Sequence, residues 1–188
     1  MEKFKTSLQD SFLFESQKFE DSRGFFLETW NHKVFGLPLF VQENYSKSFQ
    51  GVLRGLHYQI DSKSQGKLVR CSQGAVYDVI VDLREYSSTF AKWYSIELNR
   101  PELQLWVPPG MAHGFYTLSE NAVIQYKVTN YYEPAYERVL KWNDKKLGII
   151  WPFVKDPIIS DKDINQAKSF ENCEKFIQEE VVINENKR

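Results

Sequence analysis

Short runs of β-branched and aromatic residues, separated by turn residues, dominate the chain from residue 12 to residue 129. They predict strands over residues 25–30, 40–46, 52–59, 67–72, 76–83, 93–98, 105–108, 113–117 and 123–131. The clearest alternation sets Tyr77, Val79, Val81 and Leu83 on one face and Asp78 and Asp82 on the other, the period of two that a strand imposes. Turn signals fall at Gln73-Gly74, Arg100-Pro101 and Pro108-Pro109-Gly110. With no helical pattern between these runs, the spacing predicts an all-β antiparallel sandwich or barrel.

The C-terminal part changes period. Ile164, Ala167, Phe170, Cys173 and Phe176 or Ile177 recur every three to four residues. That predicts a helix capped by Ser160 or Asp161 and running to about residue 177. Residues 179–188 are polar, and they are expected to be loose. The expected organisation is one domain over residues 1–188, with a barrel over about 12–145 and a C-terminal segment over about 146–188.

Composition narrows the function. A chain of 188 residues has room for one sizeable core. The 24 Lys and Arg against 25 Asp and Glu argue against nucleic-acid binding through bulk charge and against a polybasic membrane protein. Aromatic residues at 15%, with few Gly and Pro, indicate a packed chain rather than a disordered one. Cys71 and Cys173 form no CxxC pair, which fits a reducing compartment. No apolar leader follows Met1 and no run approaches the roughly 20 residues that span a bilayer, so a cytosolic, soluble protein is expected. Three histidines and two scattered cysteines argue against a structural zinc site. Acid–base chemistry must then come from His32, His57, His113, carboxylates, tyrosines or lysines.

The charge is uneven. Between Asn44 and Arg70 the cations Lys47, Arg54, Lys63, Lys67 and Arg70 meet one acid, Asp61. Such a segment is either a solvated face or an anion site, and His57 lies inside it. A regular strand turns Arg54 and His57 to opposite faces; both reach one pocket only if the strand bulges between them, and Gly55 is the natural place. His113 follows a Pro/Gly turn, as a pocket-rim or turn-stabilising residue. His32 reads as a surface residue. Tyr126 shares a face with Ile124 and Val128, the pattern of a core tyrosine with a bonded hydroxyl. Ser160 to Asp163 reads first as an acidic helix start. The residues by themselves lead to an anion-binding β barrel, with catalysis left open.

Several runs resemble the dTDP-4-dehydrorhamnose 3,5-epimerase family. They are Phe19-Glu20-Asp21-Ser22-Arg23-Gly24-Phe25-Phe26-Leu27-Glu28, Gln42-Glu43-Asn44-Tyr45-Ser46, Val52 to Gln59, Gln65-Gly66-Lys67-Leu68-Val69-Arg70, Ala112-His113-Gly114-Phe115, Tyr126 to Tyr132, Trp142-Asn143-Asp144 and Ser160 to Asp163. They stand in family order from about residue 12 to residue 165. The resemblance implies a cupin-type double-stranded β-helix barrel (a jelly roll), a homodimer, and no cofactor. It implies a substrate that is a dTDP-linked 4-keto-6-deoxyhexose, inverted at carbons 3 and 5. Metal-binding cupins present His-x-His; here Tyr58 and Gln59 follow His57, so no metal is expected.

By the same resemblance His57 is the base and Asp163 its paired carboxylate, while Tyr126 is the acid on the opposite sugar face. Lys67 lies beside the carbonyl oxygen. Arg54 and His113 are implied to contact the sugar nucleotide, and Arg23, Glu28, Gln42 and Asn44 the nucleotide. Arg23 and Glu28 are implied to reach the partner subunit's site. Glu137 and Lys162 occupy outer binding positions, and Phe19 is a candidate neighbour of the thymine. Three rivals remain at this level: an epimerase acting on one carbon only, a noncatalytic sugar-nucleotide-binding barrel, and a metal-dependent cupin oxygenase, whose ligands are missing from the sequence.

Overall fold

The computed structural model describes residues 1–177; the polar stretch 179–188 lies outside them. The strands are β1 (Glu2–Lys5), β2 (Phe12–Glu15), β3 (Lys18–Asp21), β4 (Gly24–Leu27), β5 (Gln42–Phe49), β6 (Leu53–Gln59), β7 (Lys67–Gln73), β8 (Val76–Asp82), β9 (Trp93–Leu98), β10 (Leu103–Val107), β11 (Met111–Thr117), β12 (Asn121–Val128), β13 (Glu137–Leu140) and β14 (Ala167–Lys168). Two short helices are α1 (His32–Phe35) and α2 (Asp161–Gln166). No helix among the described residues is long and apolar enough to cross a membrane.

One sheet has the order β1-β2-β10-β7-β12-β5 and the other β14-β13-β6-β11-β8-β9; β3 and β4 pair only with each other. From β5 to β13 the chain crosses between the two sheets at nearly every step, staying in one only for the β8–β9 hairpin. This is the winding of a cupin-type barrel, and all its pairings are antiparallel except β13 with β14. Each strand predicted from the sequence falls on an observed one, with ends shifted by a few residues. β1, β2, β3, β13 and β14 were not foreseen. The side chains of β1 and β3 are all exposed, so neither carries the alternation that a half-buried strand shows.

The period of two on β8 is present, but both of its faces are buried. Val76, Asp78, Ile80 and Asp82 point between the sheets, while Val79 and Val81 point outward beneath the C-terminal segment. The apolar residues of the inward face join Val69, Cys71, Leu105, Val107, Met111, Phe115 and Ile124 in a cluster between the two sheets. Asp82 is buried without an unmet charge, because Arg84, Ser87 and Thr89 all donate to its carboxylate. A separate cluster of Phe14, Phe35, Leu37, Leu68 and Trp106 seals the other sheet from outside.

The expected helix to residue 177 is corrected. α2 ends at Gln166, and the chain then extends as β14 alongside β13, pairing Ala167 with Val139 and Lys168 with Leu140. Ile164, placed on the supposed apolar stripe, is exposed. Phe170 and Cys173 do bury, and Phe176 partly, against Leu56, Tyr58, Val81 and Leu83 on the outer face of the second sheet. Pairing with a sheet edge and burial on its face outweigh helix propensity here. Asp144 holds the turn in place by accepting the Phe170 N–H at 2.9 Å.

This covering segment carries α2, so its packing should be measurable as stability. Phe170→Ala removes a buried ring that packs 5.7 Å from Phe90 between ring centroids, and urea unfolding should report a loss of about 3–5 kcal/mol. A loss below about 1 kcal/mol, the range of an ordinary surface change, would contradict the packing role.

Candidate active site

The site begins with an extra residue in β6. Opposite β11, Phe115 faces Arg54 and His113 faces His57. Two residues of β6, Gly55 and Leu56, thus stand against Gly114 alone, which is a β-bulge. Gly55 has φ of +116°, and a Cβ there would lie 2.6 Å from the Gly114 Cα and 2.7 Å from the His113 carbonyl oxygen. Only glycine fits that approach. The bulge resets the alternation, so Arg54 and His57 share one face.

His57 Nε2 lies 2.7 Å from Asp163 Oδ1. The second carboxylate oxygen faces the Gly55 N–H at 3.4 Å, and the Asp163 N–H donates to the Ser160 side chain at 3.1 Å. Ser160 caps α2, so the helix start presents the carboxylate to His57. Burial pushes the Asp163 carboxyl up, but the His57 hydrogen bond and charge, with Gly55 and Ser160, hold it below the usual carboxylate range. An ionised Asp163 only accepts, so the ring hydrogen is assigned to Nε2 and the lone pair to Nδ1. That leaves Nδ1 able to take a proton.

His57 borders a cavity of about 260 Å³ shared with Gln42, Asn44, Tyr58, Gln59, Gln65, Lys67, Tyr126, Tyr132 and Glu137. His57 rises from the second sheet and Tyr126 from the facing one. Lys67 is buried, and its Nζ donates to the His57 carbonyl oxygen at 3.2 Å. Loss of solvent lowers the Lys67 ammonium to about 8, although Glu137 and Asp78 both act to raise it. Burial pushes the Tyr126 phenol up; Arg54 opposes this, and Glu137 and Tyr132 reinforce it. Tyr126 therefore keeps its proton at neutral pH. An imidazole on one wall, a protonated phenol on the other and a buried ammonium nearby are groups able to remove a proton from one face of a carbon and return one to the other.

At the mouth, the Tyr132 hydroxyl donates to Glu137 Oε2 at 2.8 Å, and Lys162 contacts the same oxygen. Gln59 pins this loop, accepting from the Glu133 N–H and donating to the Tyr131 carbonyl. Arg54, Ser160, Lys162 and Asp163 border an adjoining cavity of about 390 Å³ on the other side of His57.

Most of the expected site residues thus gather around His57. His113 stands neither at a rim nor on a turn: it is buried inside the barrel, with Nε2 2.9 Å from Asp78 Oδ2. Phe19, Arg23 and Glu28 lie away from the cavity of their own chain. Phe19 and Arg23 belong to the exposed β3–β4 hairpin, where Arg23 pairs with Asp21, and Glu28 accepts from Asn31. The basic segment does not converge either. Arg54 and Lys67 face the site, whereas Lys47 is on the exposed side of β5, Lys63 pairs with Glu133 and Arg70 donates to Gln125. Asp78, Gln59 and Tyr132 were missed as site residues. The acidic positions in the β8 alternation were the one sequence signal for Asp78, and nothing local said which face turned inward. Among the described residues no group of three or more His, Cys, Asp or Glu side chains is placed to hold a metal ion.

Comparison with known proteins identifies the family. The family model for dTDP-4-dehydrorhamnose 3,5-epimerase matches residues 5–172. A dTDP-4-dehydrorhamnose 3,5-epimerase of Shigella flexneri is 49% identical over 183 residues, covering 94% of this chain and 100% of the relative. The crystal structure of such an epimerase from Elizabethkingia anophelis NUHP1 superposes with a TM-score of 0.86 at 49% identity, covering 91% of this chain and 97% of that one. A dTDP-6-deoxy-D-glucose-3,5-epimerase from Legionella pneumophila Philadelphia 1, in complex with dTDP-4-keto-L-rhamnose, gives a TM-score of 0.87 at 39% identity, covering 92% and 94%. With a barrel of the same shape and a family match over nearly its whole length, this chain belongs to the dTDP-4-dehydrorhamnose 3,5-epimerase family.

Proposed function

We propose that the chain is an isomerase converting dTDP-4-dehydro-6-deoxy-D-glucose to dTDP-4-dehydro-L-rhamnose by inverting carbons 3 and 5. The observation that carries this is the His57–Asp163 pair at 2.7 Å, facing a cavity that Tyr126 and Lys67 share. Both carbons lie next to the carbonyl at carbon 4, whose pull acidifies their hydrogens. His57 Nδ1 takes the proton, and the bonding pair moves into an enolate. Lys67 stabilises the enolate oxygen, the kind of fixed charge that often supplies the largest catalytic effect. Tyr126 delivers its hydroxyl proton to the opposite face, and Asp163 holds the imidazole and stabilises its charged form. No metal or organic cofactor is needed for either step.

Gln42, Asn44, Arg54, Glu137 and Lys162 are the substrate-binding groups in this reading, with His113 supporting the sugar end from inside the barrel. Arg23, Glu28 and Phe19 act on a second copy of the chain. The hairpin that bears Phe19 and Arg23 supports a homodimer, because Phe19, Phe25 and Phe26 are each more than half exposed on it. The chain works as a single cytoplasmic domain, and nucleic acid is no partner of it.

Incubation with the 4-keto substrate in deuterated water tests the reaction by NMR. Deuterium should enter carbons 3 and 5, His57→Ala should abolish exchange at both, and Tyr126→Phe should retain exchange while blocking inversion. Label at one carbon only would point to a single-carbon epimerase, and binding without label would overturn the enzyme reading.

The lowered Lys67 ammonium sets a pH dependence. As pH rises through about 8, Lys67 loses its proton and the enolate loses its cation, so kcat/KM should fall. Lys67→Met should lack this limb and be slower by about 10²–10³-fold, as for loss of one oxyanion donor. An alkaline limb unchanged in Lys67→Met would show that another group titrates there.

A further inference from the structure

An inversion leaves His57 with an extra proton and Tyr126 without its own. If two carbons are inverted on one bound substrate, both groups must be restored while that substrate still fills the cavity. We propose that Glu137 is the relay that returns the proton from His57 to Tyr126 between the two inversions, with the Tyr132 hydroxyl linking it to solvent. This rests on the double-epimerase reading above.

Four observations carry it. Glu137 supplies the one carboxylate among the residues lining the cavity that also holds His57 and Tyr126; Asp163 is committed to His57, Gly55 and α2. In the β13–β6 pairing, Glu137 faces Gln59 and Val139 faces His57. Glu137 therefore projects from the same side of the sheet as His57, one alternation along. Its side chain is only 13% exposed, yet its contacts to Tyr132 and Lys162 both fall on Oε2, and Oε1 makes no hydrogen bond among the described residues. Tyr132 is 45% exposed, so its hydroxyl joins the carboxylate to the mouth.

The proton balance closes. The His57 Nδ1–H bond breaks as a Glu137 Oε1–H bond forms. That bond then breaks as the Tyr126 hydroxyl is restored, leaving neutral His57, ionised Glu137 and protonated Tyr126. Burial and the neighbouring charge of Glu137 raise the Tyr126 phenol, so its phenolate is the stronger base and the transfer runs toward it. Burial pushes the Glu137 carboxyl up, but the hydrogen bonds from Lys162 and Tyr132, with the charge of His57, hold it below its usual range. It is thus ionised and ready to accept, and it holds the proton only in passing.

Glu137→Gln tests this, because an amide keeps polar contacts to Tyr132 and Lys162 but relays no proton through a carboxylate. With the 4-keto substrate in deuterated water, the second inversion should fall relative to the first by about 10²-fold, the lower range for loss of one acid–base group. Singly inverted, singly deuterated sugar should accumulate. Added formate should partly restore the second inversion, and Glu137→Asp should stay closer to the parent ratio. An unchanged ratio of singly to doubly inverted product would overturn the relay, as would a rise in KM with equal loss of both steps. The unsubstituted protein is run alongside: inversion at both of its carbons with an unchanged ratio in Glu137→Gln sinks the relay alone, whereas inversion at one carbon or none sinks the double-epimerase reading with it.

Discussion

A 2.7 Å hydrogen bond joins His57 to Asp163 across 106 positions of sequence, and much of the structure serves to make it. On one side the bulge at Gly55 and Leu56 turns His57 into the barrel mouth and aims the Gly55 N–H at the same carboxylate. On the other, α2 is tied at both ends. Ile158 pairs with the Gly51–Leu53 stretch before it, and β14 pairs with β13 after it. Phe170, Cys173 and Phe176 then fasten the segment to the outer face of the second sheet. A helix of this length has little stability of its own; its position comes from the chain on either side.

The barrel interior mixes apolar and ionisable side chains. Asp78 and His113 are buried between members of the apolar cluster, Val76 and Ile80 on β8 and Met111 and Phe115 on β11, and Lys67 is buried one alternation from Val69. Buried charges are costly unless paired or hydrogen-bonded. Here Asp78 meets His113, while Lys67 has a carbonyl oxygen and the distant charges of Asp78 and Glu137. Lys67 is incompletely compensated, which depresses its ammonium and suits it to a developing enolate charge. Tyr126 is partly buried and packs against the same apolar cluster.

The barrel was legible in the sequence because its strands carry alternation or continuous apolar runs, and these survive without knowledge of partners. Strands with exposed side chains, β1 and β3, gave no such pattern. The C-terminal period of three to four residues misled, since turns laid over a sheet can space buried side chains as a helix does. The bulge was readable as a condition: Arg54 and His57 could meet only if Gly55 broke the strand, and it does. The pairing of His57 with Asp163 was not readable from spacing, because contacts at that sequence separation leave no local trace; the family runs supplied it. Neither the inward turn of Asp78 nor the dispersal of the basic segment, of which Arg54 and Lys67 reach the site, was readable from spacing or from the family runs.

The central claim is that base and acid address opposite faces of one sugar, with Lys67 at its carbonyl oxygen. A crystal structure with a bound dTDP-4-keto-6-deoxyhexose tests this most directly. It should place His57 Nδ1 on one face of the reacting carbon and the Tyr126 oxygen on the other, each about 3–3.5 Å away, with Lys67 Nζ against the oxygen on carbon 4. Finding His57 and Tyr126 on the same face, or Lys67 turned from that oxygen, would contradict it.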